Sequence, residues 1–192
     1  MADAGRTRML TVVPNLLSAL RLTLAAAFPW ADPGWRGPMV IAAGCSDWLD
    51  GFIARRFGAK STSGLLLDAA ADKLFALSVL LTLVATGMLQ WWQMGMVIAR
   101  DLAVAFVASY VALRRRWPAF RRLVPRVTGK ITTCFQFALF LAVLLHVFTP
   151  LVTVVFALTA ACSGLAAADY FVQFARALRE DRLEAGRAAA GR

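Results

Sequence analysis

Two aspartates near residue 50 have the type and spacing that a site for phosphate chemistry requires. Asp47 and Asp50 lie three residues apart, and Gly51 and Ala54 follow them in the chain. On a helix these four positions fall within an arc of about 100°. Their small side chains leave room for a ligand to approach the backbone closely. The segment therefore predicts a helix with one face that is both acidic and open.

A second pair of aspartates follows on the next predicted helix. Gly64, Asp68 and Asp72 are spaced four residues apart, so they form a single stripe along that helix. The eight residues between Arg55 and Gly64 are too few for anything but an antiparallel hairpin. The hairpin brings the two acidic faces together, and Arg55 adds a planar guanidinium that suits a phosphate.

Four carboxylates that converge in a low-dielectric site repel one another, and divalent cations offset that repulsion. A ligand set of oxygens, without histidine or cysteine, suits Mg²⁺, Mn²⁺ or Ca²⁺ rather than zinc. Two such ions about 4 Å apart would suit an in-line displacement at phosphorus. The acidic hairpin therefore predicts metal-dependent phosphoryl chemistry.

The elements that must hold this hairpin are apolar and long. Of the 192 residues, 60% are hydrophobic and 17% are charged, whereas soluble domains are about half apolar and a quarter charged. Segments of membrane-spanning length fall near residues 10–30, 38–54, 64–88, 91–113, 131–148 and 150–175. This pattern predicts an all-α integral membrane protein of six transmembrane helices, formed by one domain over residues 1–192 with a flexible basic tail from about 180. It excludes a soluble enzyme, a disordered chain and a fibre. The three cysteines lie far apart, so neither a disulfide framework nor a zinc site is expected.

The basic residues are distributed unequally between the two sides of the predicted spans. One side carries 17 Lys and Arg residues, whereas the other carries Arg36. Positive loops remain in the cytoplasm, so both termini are predicted to be cytoplasmic. The net charge of +10 then reflects topology, and no nucleic-acid partner is expected. The N-terminal stretch has features of a cleavable signal peptide, but Arg21 interrupts it and favours a retained helix.

Several ionisable residues outside the acidic hairpin lie within apolar spans. They include the basic residues Arg21, Lys73 and Arg100, and such residues usually mark functional sites because they are costly in lipid. An ion pair of Arg100 with Asp101 is the structural alternative, although neighbouring positions on a helix point about 100° apart. The sequence leaves the roles of Lys73 and Asp169 open.

The run Asp47-x-x-Asp50-Gly51-x-x-Ala54-Arg55, followed after eight residues by Gly64-x-x-x-Asp68-x-x-x-Asp72, resembles the signature of the CDP-alcohol phosphatidyltransferases. The resemblance implies two divalent cations, Mg²⁺ or Mn²⁺, held by Asp47, Asp50, Asp68 and Asp72. It implies that the CMP part of a CDP-linked lipid binds to Asp50, Gly51, Ala54, Arg55, Ser61 and Gly64. Asp72 would also be the general base that takes the proton from the acceptor alcohol.

By the same resemblance, the alcohol attacks CDP-diacylglycerol and CMP leaves. Asn15, Arg21 and the run Ala71-Asp72-Lys73 resemble the branch that contains phosphatidylglycerophosphate and cardiolipin synthases, as does Gly129-Lys130-Ile131-Thr132-Thr133 with Gln136. The expected partners are CDP-diacylglycerol, phosphatidylglycerol or glycerol 3-phosphate, the lipid bilayer and a second copy of the chain. The expected location is the plasma (inner) membrane as a multi-pass protein, with the site facing the cytoplasm.

Departures from the glycerol-phosphate branch bear on the acceptor. Asp101 stands where that branch has Glu, and Ala108 and Thr132 stand where it carries bases. These features favour phosphatidylglycerol over glycerol 3-phosphate. Either acceptor carries a phosphate, and the residues expected to bind it are Arg21, Arg100 and Lys130.

The alternative interpretation is a transporter, because intramembrane aspartates also form pathways for cations or solutes. Transport of a cation or solute does not require glycine and alanine between carboxylates at this spacing. The sequence therefore favours a phosphatidyltransferase.

Overall fold

The computed structural model describes residues 2–57, 62–114 and 127–190. In these ranges the chain forms six α-helices and one short 3-10 helix, and no strand occurs there. The α-helices are α1 Ala2–Ala27, α2 Pro33–Phe57, α3 Thr62–Ala85, α4 Trp91–Arg114, α5 Val127–Leu144 and α6 Thr149–Ala190, and the 3-10 helix is Phe28–Trp30. Each predicted apolar segment corresponds to one α-helix, so the all-α prediction is confirmed.

Local sequence signals explain where several helices end. After α3, Gly87 adopts φ 74°, and the Met88 N–H donates to the Leu83 carbonyl at 2.9 Å. This is the usual left-handed helix terminus, in which glycine carries no Cβ penalty. His146 has φ 50° after α5 and ends that helix in a similar way. Pro33 begins α2, where its missing N–H leaves no intrahelical bond unmade.

The first compact unit comprises Met1–Gln90 and Phe140–Val152. Within it, α1 packs against both α2 and α3. Phe28 and Phe75 are fully buried and meet edge to face, with ring centroids 6.0 Å apart. The Ser78 hydroxyl donates to the Ala25 carbonyl at 2.7 Å, which ties α3 to α1. This packing fixes α1 beside the helix that carries the second aspartate pair.

The second compact unit comprises Trp91–Leu139 and Thr153–Arg192. The Ser163 hydroxyl on α6 donates to the Val97 carbonyl at 2.8 Å and accepts from the Arg100 backbone N–H at 3.1 Å. The Thr159 hydroxyl, one turn earlier, donates to the Phe135 carbonyl at 3.2 Å. Hydroxyls on α6 therefore tie it to α4 and to α5, a kind of contact common between membrane helices.

Besides an apolar core, the described residues include buried polar side chains and many exposed apolar ones. Among the side chains that the structure describes, polar and charged ones are buried at nine positions: Ser18, Arg21, Arg36, Ser46, Thr82, Thr132, Gln136, Thr159 and Ser163. Large apolar side chains are exposed along the same helices, including Leu16, Trp48, Leu74, Phe106, Val154 and Leu165. Apolar surface of this extent is typical of helices that face lipid or another protein.

Within the described residues, the segment Thr149–Arg176 of α6 is long and apolar enough to cross a membrane, judged by length and composition. The apolar helix Ile131–Leu144 is shorter. The six-span arrangement and the side on which the termini lie therefore stay predictions.

The sequence predicts a last helix that ends near residue 175 and a flexible basic tail from about 180. The structure continues α6 as helix through Ala190, so the predicted end of this helix is wrong, while the flexibility of the tail stays a prediction. The tail is rich in Ala, Leu, Glu and Arg, which are among the strongest helix formers. Helix propensity therefore extends α6 well beyond its apolar segment.

Candidate functional site

Three helices of the first unit bring charged side chains together at one place. Asp47 comes from α2, Asp68 and Asp72 come from α3, and Arg21 comes from α1. One oxygen from each of the three carboxylates lies within 4.8 Å of the others. We call these four residues the aspartate–arginine cluster. The prediction that the two acidic faces meet is confirmed for these three aspartates.

Arg21 forms the centre of the cluster, and its side chain is fully buried. Its Nη1 donates to Asp68 Oδ1 at 3.0 Å and also to Asp72 Oδ1. Its Nη2 lies 3.9 Å from Asp47 Oδ1 and has no hydrogen-bond partner among the described residues. Its Nε donates to the Ser46 hydroxyl at 3.3 Å. One guanidinium therefore contacts all three carboxylates and is oriented by a fourth group on α2.

Two serines support the cluster. The Ser46 hydroxyl donates to the Ala43 carbonyl at 2.8 Å, so a lone pair remains for Arg21 Nε. The Ser18 hydroxyl, three residues before Arg21 on α1, donates to Asp68 Oδ1 at 3.5 Å. Sequence reasoning missed both, because a serine in an apolar helix commonly bonds only to its own backbone. The available signal was their position, since Ser18 precedes Arg21 by one turn and Ser46 precedes Asp47 directly.

The cluster fits a divalent cation by its donors and by its charge. Its three carboxylates offer hard oxygen ligands, the type that Mg²⁺ and Mn²⁺ prefer. They outnumber the guanidinium, so the four side chains together carry a net negative charge. Asp47, Asp68 and Asp72 are only partly buried, with 45, 16 and 39% of their side chains exposed, so an ion has access. The three aspartates can therefore hold a metal ion.

The remaining predicted ligands of the nucleotide lie beside this cluster in the sequence. Asp50, Gly51, Ala54 and Arg55 belong to the helical backbone of α2, and Gly64 belongs to α3. The side chains among these residues lie outside the described part of the structure, and so does Ser61 as a whole. Their assignment to metal and CMP binding therefore stays a prediction.

A second polar cluster lies in the second unit. Arg100 Nη1 on α4 donates to the Thr133 hydroxyl on α5 at 3.3 Å, and it lies 3.7 Å from Asp101 Oδ1. Arg100 Nε and Gln136 Nε2 are both buried without a hydrogen-bond partner among the described residues. Gln136 follows Thr133 by three residues, so the two side chains share a face of α5. We call Arg100, Thr133 and Gln136 the donor cluster, because Arg100 bonds to Thr133 and Gln136 follows Thr133 on the same face of α5.

The pair of Arg100 with Asp101 corrects one expectation. The 100° between neighbouring helical positions argues against such a pair, yet the two side chains approach within 3.7 Å. An arginine side chain is long enough to fold back across that angle, and both side chains are mostly buried, at 15 and 19% exposed. The contact is longer than a hydrogen bond, and Arg100 Nε has no hydrogen-bond partner in the part of the chain that the structure describes. Lys130, also predicted to bind phosphate, belongs to α5, and its side chain lies outside the described residues.

Comparisons with known proteins bear directly on these clusters. A family model described as CDP-alcohol phosphatidyltransferase matches residues 11–165, which confirms the resemblance inferred from the aspartate motif. The match includes all residues of the aspartate–arginine cluster and of the donor cluster. Both clusters therefore lie inside the segment that defines the family.

Individual relatives carry two kinds of name. The chain is 37% identical over 105 residues to a putative cardiolipin synthase of Mycobacterium tuberculosis, which covers 52% of this chain and 50% of the relative. It is 36% identical over 121 residues to a cardiolipin synthase (CMP-forming) of Streptomyces coelicolor. This match covers 58% of the chain and 55% of the relative. It is 33% identical over 160 residues to a chloroplastic CDP-diacylglycerol–glycerol-3-phosphate 3-phosphatidyltransferase of Oryza sativa. This match covers 74% of the chain and 48% of the relative. The chain thus spans about half the length of the curated relatives it matches.

Proposed function

The chain belongs to the CDP-alcohol phosphatidyltransferase family, and on this premise we propose that it transfers a phosphatidyl group from CDP-diacylglycerol to an alcohol and releases CMP. The observation that carries this proposal is the meeting of Asp47, Asp68 and Asp72 around one point, within the segment that matches the family. A bound Mg²⁺ or Mn²⁺ ion would polarise the phosphoryl oxygens and offset their charge.

In the proposed reaction, Asp72 accepts the proton of the acceptor hydroxyl. The oxygen forms a bond to the lipid-side phosphorus of CDP-diacylglycerol, and the bond from that phosphorus to the bridging oxygen of CMP breaks. Asp72 suits the role of base because its side chain is 39% exposed beside the candidate ligands, so a hydroxyl can reach it. Asp50, Gly51, Ala54, Arg55, Ser61 and Gly64 are proposed to hold the CMP part of the substrate.

We propose phosphatidylglycerol as the acceptor, with cardiolipin as the product. The donor cluster supports an acceptor with a phosphate, because buried N–H groups that lack acceptors among the described residues attract an anionic oxygen. Arg100 and Lys130 are the proposed phosphate ligands, and Arg21 is a third candidate. A phosphodiester carries one charge and a phosphomonoester nearly two, so the former needs fewer fixed cations. Ala108 and Thr132 in place of bases favour the phosphodiester.

The proposed setting is a multi-pass inner membrane protein with six spans, both termini in the cytoplasm and the active site on that side. Its support is the unequal distribution of basic residues and the apolar surface of the helices. Trp30, Trp35, Trp91 and Trp92 are more than half exposed, as expected for an aromatic belt at a membrane interface. The family resemblance further suggests a homodimer.

Product analysis with the purified full-length protein tests the proposal. CDP-diacylglycerol would be supplied with phosphatidylglycerol or with glycerol 3-phosphate in parallel, at saturating Mg²⁺, and the lipids identified by mass spectrometry. We expect cardiolipin and CMP from the first reaction, little phosphatidylglycerophosphate from the second, and loss of both activities in excess EDTA. Efficient phosphatidylglycerophosphate synthesis without cardiolipin would reverse the acceptor assignment. Ion or solute flux in liposomes without CMP release would favour the transporter instead.

A further inference from the structure

Arg21 and a metal ion would use the same carboxylates. Arg21 Nη1 donates to the Oδ1 atoms of both Asp68 and Asp72. These two residues and Asp47 are also the candidate ligands of a cation, with oxygens within 4.8 Å of one another. A carboxylate oxygen that accepts a charged hydrogen bond has less electron density to offer a metal, and the two positive charges repel. Guanidinium and metal ion therefore compete for this cluster.

We propose that Arg21 is a built-in counter-ion of the aspartates: it holds the carboxylates together, and a divalent cation that binds must displace its Nη1 from Asp68 and Asp72. The inference rests on the proposed function only in taking these aspartates as metal ligands. It assigns to Arg21 a positioning role in the metal site that the family motif does not include.

The burial of Arg21 argues that this contact is built into the fold. The side chain is fully buried, and its Nε is fixed to the Ser46 hydroxyl on a neighbouring helix. Exposed arginines form ion pairs of little consequence, because water and side-chain entropy offset the gain. The guanidinium of a buried arginine has no water around it, so the neighbouring carboxylates must neutralise its charge.

The anchor at Ser46 determines where the guanidinium remains after displacement. Nε binds Ser46 independently of the two Nη groups, so displacement of Nη1 need not remove the guanidinium from the cluster. Nη2 is already without a hydrogen-bond partner among the described residues. Metal binding would thus leave both Nη groups of Arg21 available to an anionic oxygen. This links the predicted role of Arg21 in phosphate binding to occupancy of the metal site.

A manganese titration followed by EPR tests the proposal on the purified full-length protein. Arg21→Gln removes the competing charge and keeps a donor for Ser46, so we expect Mn²⁺ to bind about tenfold more tightly than to the wild type. In EDTA the variant should have a lower Tm, because its carboxylates lose their counter-ion. The rise in Tm on adding Mn²⁺ should then be larger than in the wild type.

Arg36→Gln is the matched control. Arg36 is also a buried arginine of the first unit, but its Nε donates to the Ala31 carbonyl at 3.1 Å. We expect this variant to leave the Mn²⁺ affinity unchanged. An equal tightening in both variants would point to net charge as the cause and overturn the proposal.

Unchanged or weaker Mn²⁺ binding by Arg21→Gln would also overturn it. If that variant does not fold, Ser46→Ala decides the matter, because it retains the charge and loses only the anchor. We expect about threefold tighter Mn²⁺ binding from Ser46→Ala, and an unchanged affinity would contradict the proposal. A wild-type protein that binds no Mn²⁺ would instead refute the metal site itself, so the two failures are distinguishable.

Discussion

Arg21 and Arg100 are both arginines in apolar helices, yet their surroundings differ in the balance of charge. Arg21 is fully buried and contacts three carboxylates, so acidic groups exceed basic ones around it. Arg100 contacts one carboxylate at 3.7 Å, and its Nε is an unused donor among the described residues, as is Nε2 of Gln136, one turn after Thr133 on α5. The first arrangement suits a cation and the second an anion. The number of neighbouring acids, rather than the arginine itself, therefore determines what each site can bind.

The largest expected effect is at the acidic site. Asp72→Asn removes the proposed base and keeps an oxygen ligand, so CMP release should fall by about 10²- to 10⁴-fold, the usual range for a general base. CDP-lipid binding should change little. The measurement is the initial rate of CMP release with saturating Mg²⁺.

Asp101→Asn is the control for this prediction, because it removes a carboxylate from the neighbourhood of Arg100 and leaves the acidic site intact. Its rate should stay within a few-fold of the wild type. If Asp72→Asn retains near-normal turnover, Asp72 is not the base, and the acidic site is not where the acceptor is deprotonated.

A smaller effect is expected from Arg100→Met. If the donor cluster binds the acceptor phosphate, the KM for the acceptor should rise about tenfold, the loss of one charge-assisted hydrogen bond. The KM for CDP-diacylglycerol should not change. Steady-state kinetics with each substrate varied in turn separates the two. An equal rise in both values would indicate a general loss of structure rather than of an acceptor ligand.

The smallest effect is also the most diagnostic. Gln136→Leu removes a buried donor that lacks a partner among the described residues. Burying such a donor without a hydrogen bond costs about 1–3 kcal/mol of stability. We therefore expect the Tm to rise by a few degrees while the acceptor KM rises about threefold. Thermal unfolding and kinetics on the same preparation provide the test. A lower Tm with an unchanged KM would mean that Gln136 serves the fold alone.

The acidic hairpin was the part of the site that could be predicted from the sequence. Spacings of three and four residues place side chains on one face of a helix whatever the surroundings. The short link between Arg55 and Gly64 then leaves few arrangements for the two helices. For Asp47, Asp68 and Asp72, the structure confirms the resulting convergence.

The partners of the two arginines could not be predicted in this way. The sequence places Arg21 near the carboxylates, but its contacts depend on how α1 packs against α2 and α3, and no periodicity encodes that rotation. The hydrogen bond from Arg21 to Ser46 joins α1 to α2, and the two residues lie 25 positions apart in the chain. The contact of Arg100 with Asp101 depends on a side-chain conformation that backbone geometry alone disfavours. Local spacing fixed which residues share a face, whereas tertiary packing determined which faces meet.

The bond between Ser163 and the Arg100 backbone also sets how deep that arginine lies in the proposed membrane. The 20 residues of α6 from 149 to 168 span about 30 Å, the thickness of the hydrocarbon core, so Asp169 falls at one of its surfaces. Ser163 lies about 9 Å inside that surface, and it holds the Arg100 N–H at 3.1 Å. At this depth an arginine can place its charge near the headgroup region, and here its Nη1 bonds to Thr133 on α5. A phospholipid acceptor could then present its phosphate to Arg100 while its acyl chains stay within their own leaflet.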